Sequence, residues 1–335
     1  MRQLSKFGPV VAAVACALLV VPPARADFQY GHVYVTHAGT GDPFTPIDTI
    51  YEIDPASGQV TPFLQYTNNR GLGGMAFTPD GSGLRVFRRS LNQILEVRSD
   101  ASQSVVLSGS DGLAGPAGDN GLAYDRNRDL FAFNDGFDHI TRFPQGNGPS
   151  QFFGSTLPGY GSIAFGASGD LYWGGANEIS GPEGLVKRFT PDGQIHDFDA
   201  YDGPGTGRVQ SLTGDSQGNL YVMTDENTGT IYKYPAENAA LRQTLITGFQ
   251  TSSGVLGISP DERTLFVGTN AFLFGVDLET GERTQLAQIP GDARVNGLVV
   301  YVPEPAPVFG TALLLIVATR RGFVAADRLH QGDRK

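Results

Sequence analysis

Eight polar residues stand where chemistry is possible: His37, Arg88, Asn120, Asn134, Asp135, Asp225, Asn270 and Asn296. Asn120 and Asn296 come just before short Gly-rich apolar runs. The others come just after runs of the Leu-aromatic-Val kind. Asn, Asp and His supply the oxygen and nitrogen donors that a hard or borderline cation accepts. Asn134, Asp135, Asp225 and Asn270 are therefore the candidate ligands for a divalent cation such as calcium. Turn capping is the competing reading, because Asn and Asp side chains bond their own local backbone in loops.

Other chemistry finds less support. Asp192-Gly193-Gln194-Ile195-His196-Asp197 sets a histidine near carboxylates but reads as a hairpin, and five scattered histidines do not suggest a Ser-His-Asp constellation. No P-loop, zinc spacing or calcium-loop pattern occurs, and the stretch from Gly109 to Gly121 reads as a plain loop. The single cysteine, Cys16, lies in the N-terminal segment, so the rest of the chain has no disulfide.

The elements that would position these residues form a repeat. A Gly-rich start, a short strand, an Asp/Gly turn and a Leu-aromatic-Val strand recur five times. The copies begin at Gly74-Met75-Ala76-Phe77, Gly121-Leu122-Ala123-Tyr124, Ser162-Ile163-Ala164-Phe165, Ser211-Leu212-Thr213 and Val255-Leu256-Gly257-Ile258. Their second strands open on leucines 84, 130, 171, 220 and 265, in steps of 46, 41, 49 and 45 residues. That period fits a four-stranded propeller blade of ~40–50 residues. Gln93–Val97 and Thr230–Tyr234 read as third strands, and Ser104–Leu107 as a fourth. Turns such as Thr78-Pro79-Asp80-Gly81 put Pro early and Gly where φ turns positive.

The ends of the repeat region complement each other. His32-Val33-Tyr34-Val35 is a second strand lacking a first, and Val295–Tyr301 is a first strand lacking a second. Paired, they complete a composite blade. The expectation is all-β: a six-bladed β-propeller closed by a C-terminal strand, with no open edges left. A seven-bladed ring with one hidden blade and an open β-solenoid are the alternatives.

The Gly-x-Ala-Phe, Asp-Gly and Leu-Tyr-Val pattern resembles the six-bladed propellers of the NHL and gluconolactonase/regucalcin type over about 270 residues. That resemblance implies the fold but no single activity. In the regucalcin type it implies a metal held by one Glu, one Asn and one Asp at the channel mouth. Asn134 and Asp225 match two of these, but Thr36-His37 stands where the Glu is wanted, which argues against a lactonase.

The two ends read as addresses. In residues 1–26, Arg2 and Lys6 precede an apolar run from Val10 to Val21, and Ala24-Arg25-Ala26 forms an A-x-A cleavage site before Asp27. Twelve apolar residues fall short of the ~20 that a spanning helix needs. Near the other end, Pro303-Glu304-Pro305 is followed by an apolar run from Ala306 to Thr319 and by Arg320-Arg321. This resembles the PEP-CTERM sorting signal, and implies processing by exosortase-type machinery with transient membrane contact through a hydrophobic helix. A buried C-terminal helix is the alternative. The organisation expected is a signal peptide at 1–26, a propeller at 27–302, a sorting signal at 303–321 and a polar tail at 322–335.

The formal net charge is −10. Without the first 26 residues and those after Val302, 16 basic and 31 acidic residues remain, a net of −15. So acidic a body argues against nucleic acid and anionic lipid as main partners. The function expected is an exported surface or matrix protein of a Gram-negative-type bacterium, binding exopolysaccharide or a surface protein without catalysis. A metal-dependent hydrolase or lyase at the mouth is the runner-up. Two processing outcomes follow. Mass spectrometry of the protein from its native host should find Asp27 at the N-terminus, and Met1 or Cys16 there would exclude the signal reading. Changing Pro303-Glu304-Pro305 to alanines should leave export intact and alter surface sorting.

Overall fold

The computed structural model describes residues 27–37, 47–67, 71–113, 121–134, 138–156, 161–176, 184–201, 207–249, 254–290 and 295–302. The expected signal peptide and sorting segment lie outside the described residues. The described residues form an all-β propeller of six four-stranded antiparallel sheets.

Blade A is composite. β24 (Val295–Val300) is its innermost strand, followed outward by β1 (Val33–His37), β2 (Ile47–Asp54) and β3 (Gln59–Thr67). Blade B runs β4 (Leu72–Phe77), β5 (Leu84–Arg88), β6 (Gln93–Val97) and β7 (Gln103–Leu107). Blade C runs β8 (Leu122–Tyr124), β9 (Leu130–Asn134), β10 (His139–Phe143) and β11 (Gln151–Ser155). Blade D runs β12 (Gly161–Phe165), β13 (Leu171–Ala176), β14 (Gly184–Phe189) and β15 (Ile195–Tyr201). Blade E runs β16 (Val209–Gly214), β17 (Leu220–Thr224), β18 (Thr230–Tyr234) and β19 (Gln243–Thr247). Blade F runs β20 (Gly254–Ile258), β21 (Thr264–Thr269), β22 (Phe272–Asp277) and β23 (Arg283–Gln288).

Closure is made by β24 and β1, which pair antiparallel with Tyr34 opposite Val299 and Val35 opposite Leu298. Two further backbone bonds continue the seam: Gly31 N–H donates to Tyr301 O at 2.9 Å and Tyr301 N–H to His32 O at 3.0 Å. The chain ends also meet through side chains. The rings of Phe28 and Tyr301 lie 5.5 Å apart, and Tyr301 lies 4.8 Å from Phe77 of blade B.

The core is divided among the blade interfaces. Six apolar clusters each join two neighbouring blades: A with B around Tyr34, Ile50 and Leu84; B with C around Phe87, Ile94 and Leu130; C with D around Phe133, Trp173 and Phe189. D meets E around Tyr172, Val222 and Tyr234; E meets F around Met223, Leu265 and Val267; F meets A around Leu273, Val35 and Ile53. Six interfaces for six blades mean that the ring has no unpacked flank. Near the axis the innermost strands crowd, and glycine is required there. A Cβ on Gly297 would lie 2.7 Å from Gly73 O and 2.8 Å from Thr36 Oγ1.

One irregularity repeats in all six blades. The third and fourth strands are in register at both ends but slip once in the middle, leaving one unpaired residue on the outer strand. The skipped residues are Phe63, Val106, Phe153, Phe198, Leu245 and Leu286, all apolar. Each packs against one of the interblade clusters. A β-bulge bends the outer strand and re-aims a side chain. Here it delivers an extra apolar residue to the interface while breaking the flatness of an exposed edge strand.

Side chains also latch blades together at the end opposite β1's C-terminus. The Glu237 carboxylate of blade E accepts from Ser168 N–H (3.1 Å), Ser168 Oγ (2.5 Å) and Tyr172 OH (2.9 Å) of blade D. Glu262 of blade F accepts from Ser216 N–H (2.8 Å) and Oγ (2.7 Å) of blade E.

Deleting residues 295–301 should expose both flanks of the composite blade. The strand carries buried Val295 and Leu298. Each is worth ~1.5–3 kcal/mol against a net stability of ~5–15 kcal/mol, so the truncated protein should aggregate or unfold. A soluble truncation with unchanged melting temperature would reject six-bladed closure. Phe63→Ala should cost about 3 kcal/mol or more in denaturant unfolding, since the bulged ring is buried.

Candidate functional site: the channel mouth

Antiparallel first and second strands place the start of one and the end of the other at the same end of every blade. The C-terminal ends of β1, β5, β9, β13, β17 and β21 therefore ring one mouth. Polar burial is lopsided toward it. Among the described residues, the buried polar or charged side chains include Thr36, His37, Asp48, Thr49, Asn134, Ser162, Ser211, Thr224, Glu226, Thr230, Thr269 and Asn296, all in the mouth half of their blades. Arg85, Asp129, Asp215 and Ser259 lie at the other end. A buried polar group costs free energy unless it is bonded, so each of these side chains needs a partner.

Most of these groups are held by neighbours. Thr36 Oγ1 donates to Gly73 O at 2.9 Å, and Asn296 Nδ2 donates to Leu72 O at 3.1 Å, both joining blade A to blade B. Leu256 N–H of blade F donates to Ser211 Oγ of blade E at 3.0 Å. These bonds tie blade A to blade B and blade E to blade F at the mouth ends of their strands.

The residues singled out from sequence take several places. Asn134 is fully buried, and its Nδ2 donates to Thr141 Oγ1 at 2.6 Å inside blade C. Asp225 Oδ1 accepts from Arg208 N–H at 2.8 Å, and Arg208 O accepts from Asp225 N–H at 3.0 Å, which closes the mouth end of the β16–β17 pair. Asn270 is exposed in the two-residue turn between β21 and β22. His37 is buried with its ring edge-on to Tyr51 at 5.9 Å. The Arg88 guanidinium lies 5.5 Å over the Tyr66 ring, across the A–B interface. Asn120 and Asp135 lie outside the described residues. The structure thus holds Asn134 and Asp225 each in its own blade and leaves Asn270 on the surface. Among the described residues no three His, Cys, Asp or Glu side chains converge as a metal site.

Sequence reasoning missed Glu226. It follows Asp225 directly, is 4% exposed, and its Oε2 accepts from Tyr232 OH at 2.7 Å. Its backbone oxygen accepts from Thr230 Oγ1 at 3.0 Å. Thr224, opposite Thr230 in the ladder, adds a buried hydroxyl on the same face. The only signal was a second acid after a strand end, in Thr224-Asp225-Glu226. Asp48, buried at the mouth end of β2, was also missed.

Burial raises two phenols near this rim. Desolvation pushes Tyr66 up to about 12 despite the nearby Arg88 charge, and desolvation with the Glu226 bond pushes Tyr232 up to about 12.

The chain matches no protein-family model and no curated protein. Solved structures are similar in fold. A chain of the nidogen/laminin complex superposes with a TM-score of 0.66 at 14% identity, covering 82% of this chain and 99% of that one. TolB from Acinetobacter baumannii gives 0.61 at 13% identity, over 80% of this chain and 66% of that one. A gluconolactonase-family protein gives 0.53 at 16% identity, over 68% and 80%. At such identities the likeness shows the fold alone, and the three neighbours differ in what they are named for: the described residues are a six-bladed β-propeller.

The raised phenols set an alkaline limit. A phenol whose folded pKa exceeds its ordinary 10 stabilises the fold fully below pH 10, and that contribution is lost as pH rises through about 12. Denaturant midpoints should therefore fall between pH 10 and 12, and fall less steeply in Tyr66→Phe. An identical alkaline slope in that variant would show that Tyr66 does not contribute.

Proposed function

We propose that the protein is an exported cell-surface or matrix binding module, whose propeller presents its channel mouth to a polar surface partner. The supporting observation is the concentration of buried, hydrogen-bonded polar side chains at one end of the blades. Bonds from Thr36 and Asn296 and to Ser211 fix strand ends that border the mouth, and groups already fixed lose little freedom on binding. The N-terminal signal and the Pro303-Glu304-Pro305 segment support export and surface sorting. Exopolysaccharide or a surface protein is the partner proposed.

The test is surface binding. The fluorescently labelled protein should bind host cells that lack their own copy, in a saturable way. Arg208 and Asn270 are exposed at the mouth, so Arg208→Ala with Asn270→Ala should weaken binding at unchanged melting temperature. Undiminished binding by that double variant would place the partner elsewhere.

Glu226 beside Asp225 is the one observation that favours the second reading, a metal-dependent hydrolase or lyase at the mouth. Thermal melts separate the two. Bonds that only close turns and strand ends predict no calcium response, and a modest loss of ~0.5–1.5 kcal/mol per side chain removed. A bound ion predicts a rise in stability of about 2.7 kcal/mol at a hundredfold excess over its dissociation constant. We expect no shift. A calcium shift that disappears in Asp135→Asn with Asp225→Asn would overturn the non-catalytic reading.

A further inference from the structure

On the face opposite the mouth, the ring seam leaves an open groove of about 490 Å³ between blades F and A. Three segments build it: the entry to β1, the β2–β3 turn of blade A and the β20–β21 turn of blade F. Phe266, Leu286 and Pro260 supply apolar lining, and Asp54 and Asp261 supply carboxylates. Tyr30 also lines it and is 65% exposed, with no ring contact or hydrogen bond among the described residues. The ring stands beside the concavity with an apolar face and a polar tip open to a ligand. The size and the mixture of apolar walls with a few polar groups are those of a small-ligand site.

The charge at the rim selects the ligand. Asp54 is held ionised by bonds from Ser57 Oγ and Ala56 N–H, and Asp261 by bonds from Ser259 Oγ and Arg263 N–H. The groove's imidazole, His32, is bound to Glu52 at 3.0 Å. An anionic polymer would meet repulsion here. Asp261 keeps its second oxygen free of partners among the described residues, so it can accept a hydrogen bond from a hydroxyl. An aromatic face for C–H surfaces with carboxylate acceptors for hydroxyls is the chemistry that holds a neutral pyranose.

We infer that this seam groove is a binding site for a neutral polysaccharide, with Tyr30 as its stacking platform and Asp261 as its hydroxyl acceptor. The site stands on the groove alone and does not depend on what the mouth binds.

Affinity gel electrophoresis of the purified full chain tests it, with hydroxyethyl cellulose, dextran or alginate cast in the gel. Retardation is expected with at least one of the two neutral glucans and not with alginate. Tyr30→Ala should weaken it about tenfold, the scale of one lost stacking contact. Tyr30→Trp should preserve it, and Asp261→Asn should reduce it. The mouth variant Arg208→Ala with Asn270→Ala should be retarded like the unmodified chain, which separates this site from the mouth. No retardation by either neutral glucan, retardation by alginate that needs Tyr30, or undiminished retardation of Tyr30→Ala would each overturn the inference.

Discussion

Everything in this fold depends on one strand pair. β24 enters from the end of the repeat region to lie beside β1 from its beginning, some 260 residues away in sequence. Each of the other five blades is local, with four consecutive strands. Blade A alone couples the two ends, and the A–B and F–A interfaces both include its side chains. Loop closure over such a span costs chain entropy that grows only slowly with length. The return is large, because closure covers two apolar flanks at once. Phe28 and Tyr301, from opposite ends of the described chain, share one aromatic cluster, so the seam is packed as well as hydrogen-bonded.

The bulges explain how short, glycine-rich blades fill wedge-shaped interfaces. Adjacent blades diverge with distance from the axis, so the outer strands must supply more bulk than the inner ones. Near the axis Gly73, Gly257 and Gly297 keep the strands slim. At the periphery, the extra residue of each bulge adds an aromatic or branched side chain where the gap widens. Large residues outside and glycine inside are one solution to one geometric constraint.

The inner strands were legible in the sequence for that reason. Glycine, the Leu-aromatic-Val run and the Asp-Gly turn are near-axis requirements that each blade repeats, and the half-strands His32–Val35 and Val295–Tyr301 announced the closure. The third strand Thr230–Tyr234 and the hairpin around Asp192-Gly193 lie where they were expected. The outer bulges were not legible, because Phe63, Phe153 and Leu286 sit in otherwise ordinary apolar alternation and only the register shows them as unpaired. The mouth was half legible. Asn and Asp mark strand ends whether they cap turns or meet ligands, so Asn134 and Asp225 could be found without learning that Thr141 and the Arg208 amide bind them. Glu226 and Asp48 are buried by neighbours from other strands, which no local pattern encodes.

The opposed faces now have distinct characters: a stitched, polar mouth at one end, and at the other the carboxylate latches of Glu237 and Glu262 beside the seam groove. Both depend on the ring being shut. Native-state hydrogen exchange measures that most directly. If β24–β1 is the closing element, the amides of Tyr34, Val35 and Leu298 can exchange only by global unfolding. Their opening free energy should then equal that of the β12–β13 and β17–β18 amides and fall with denaturant at the same slope. A seam that exchanges through its own smaller opening, while the other blades stay protected, would contradict closure as the interaction on which the structure depends.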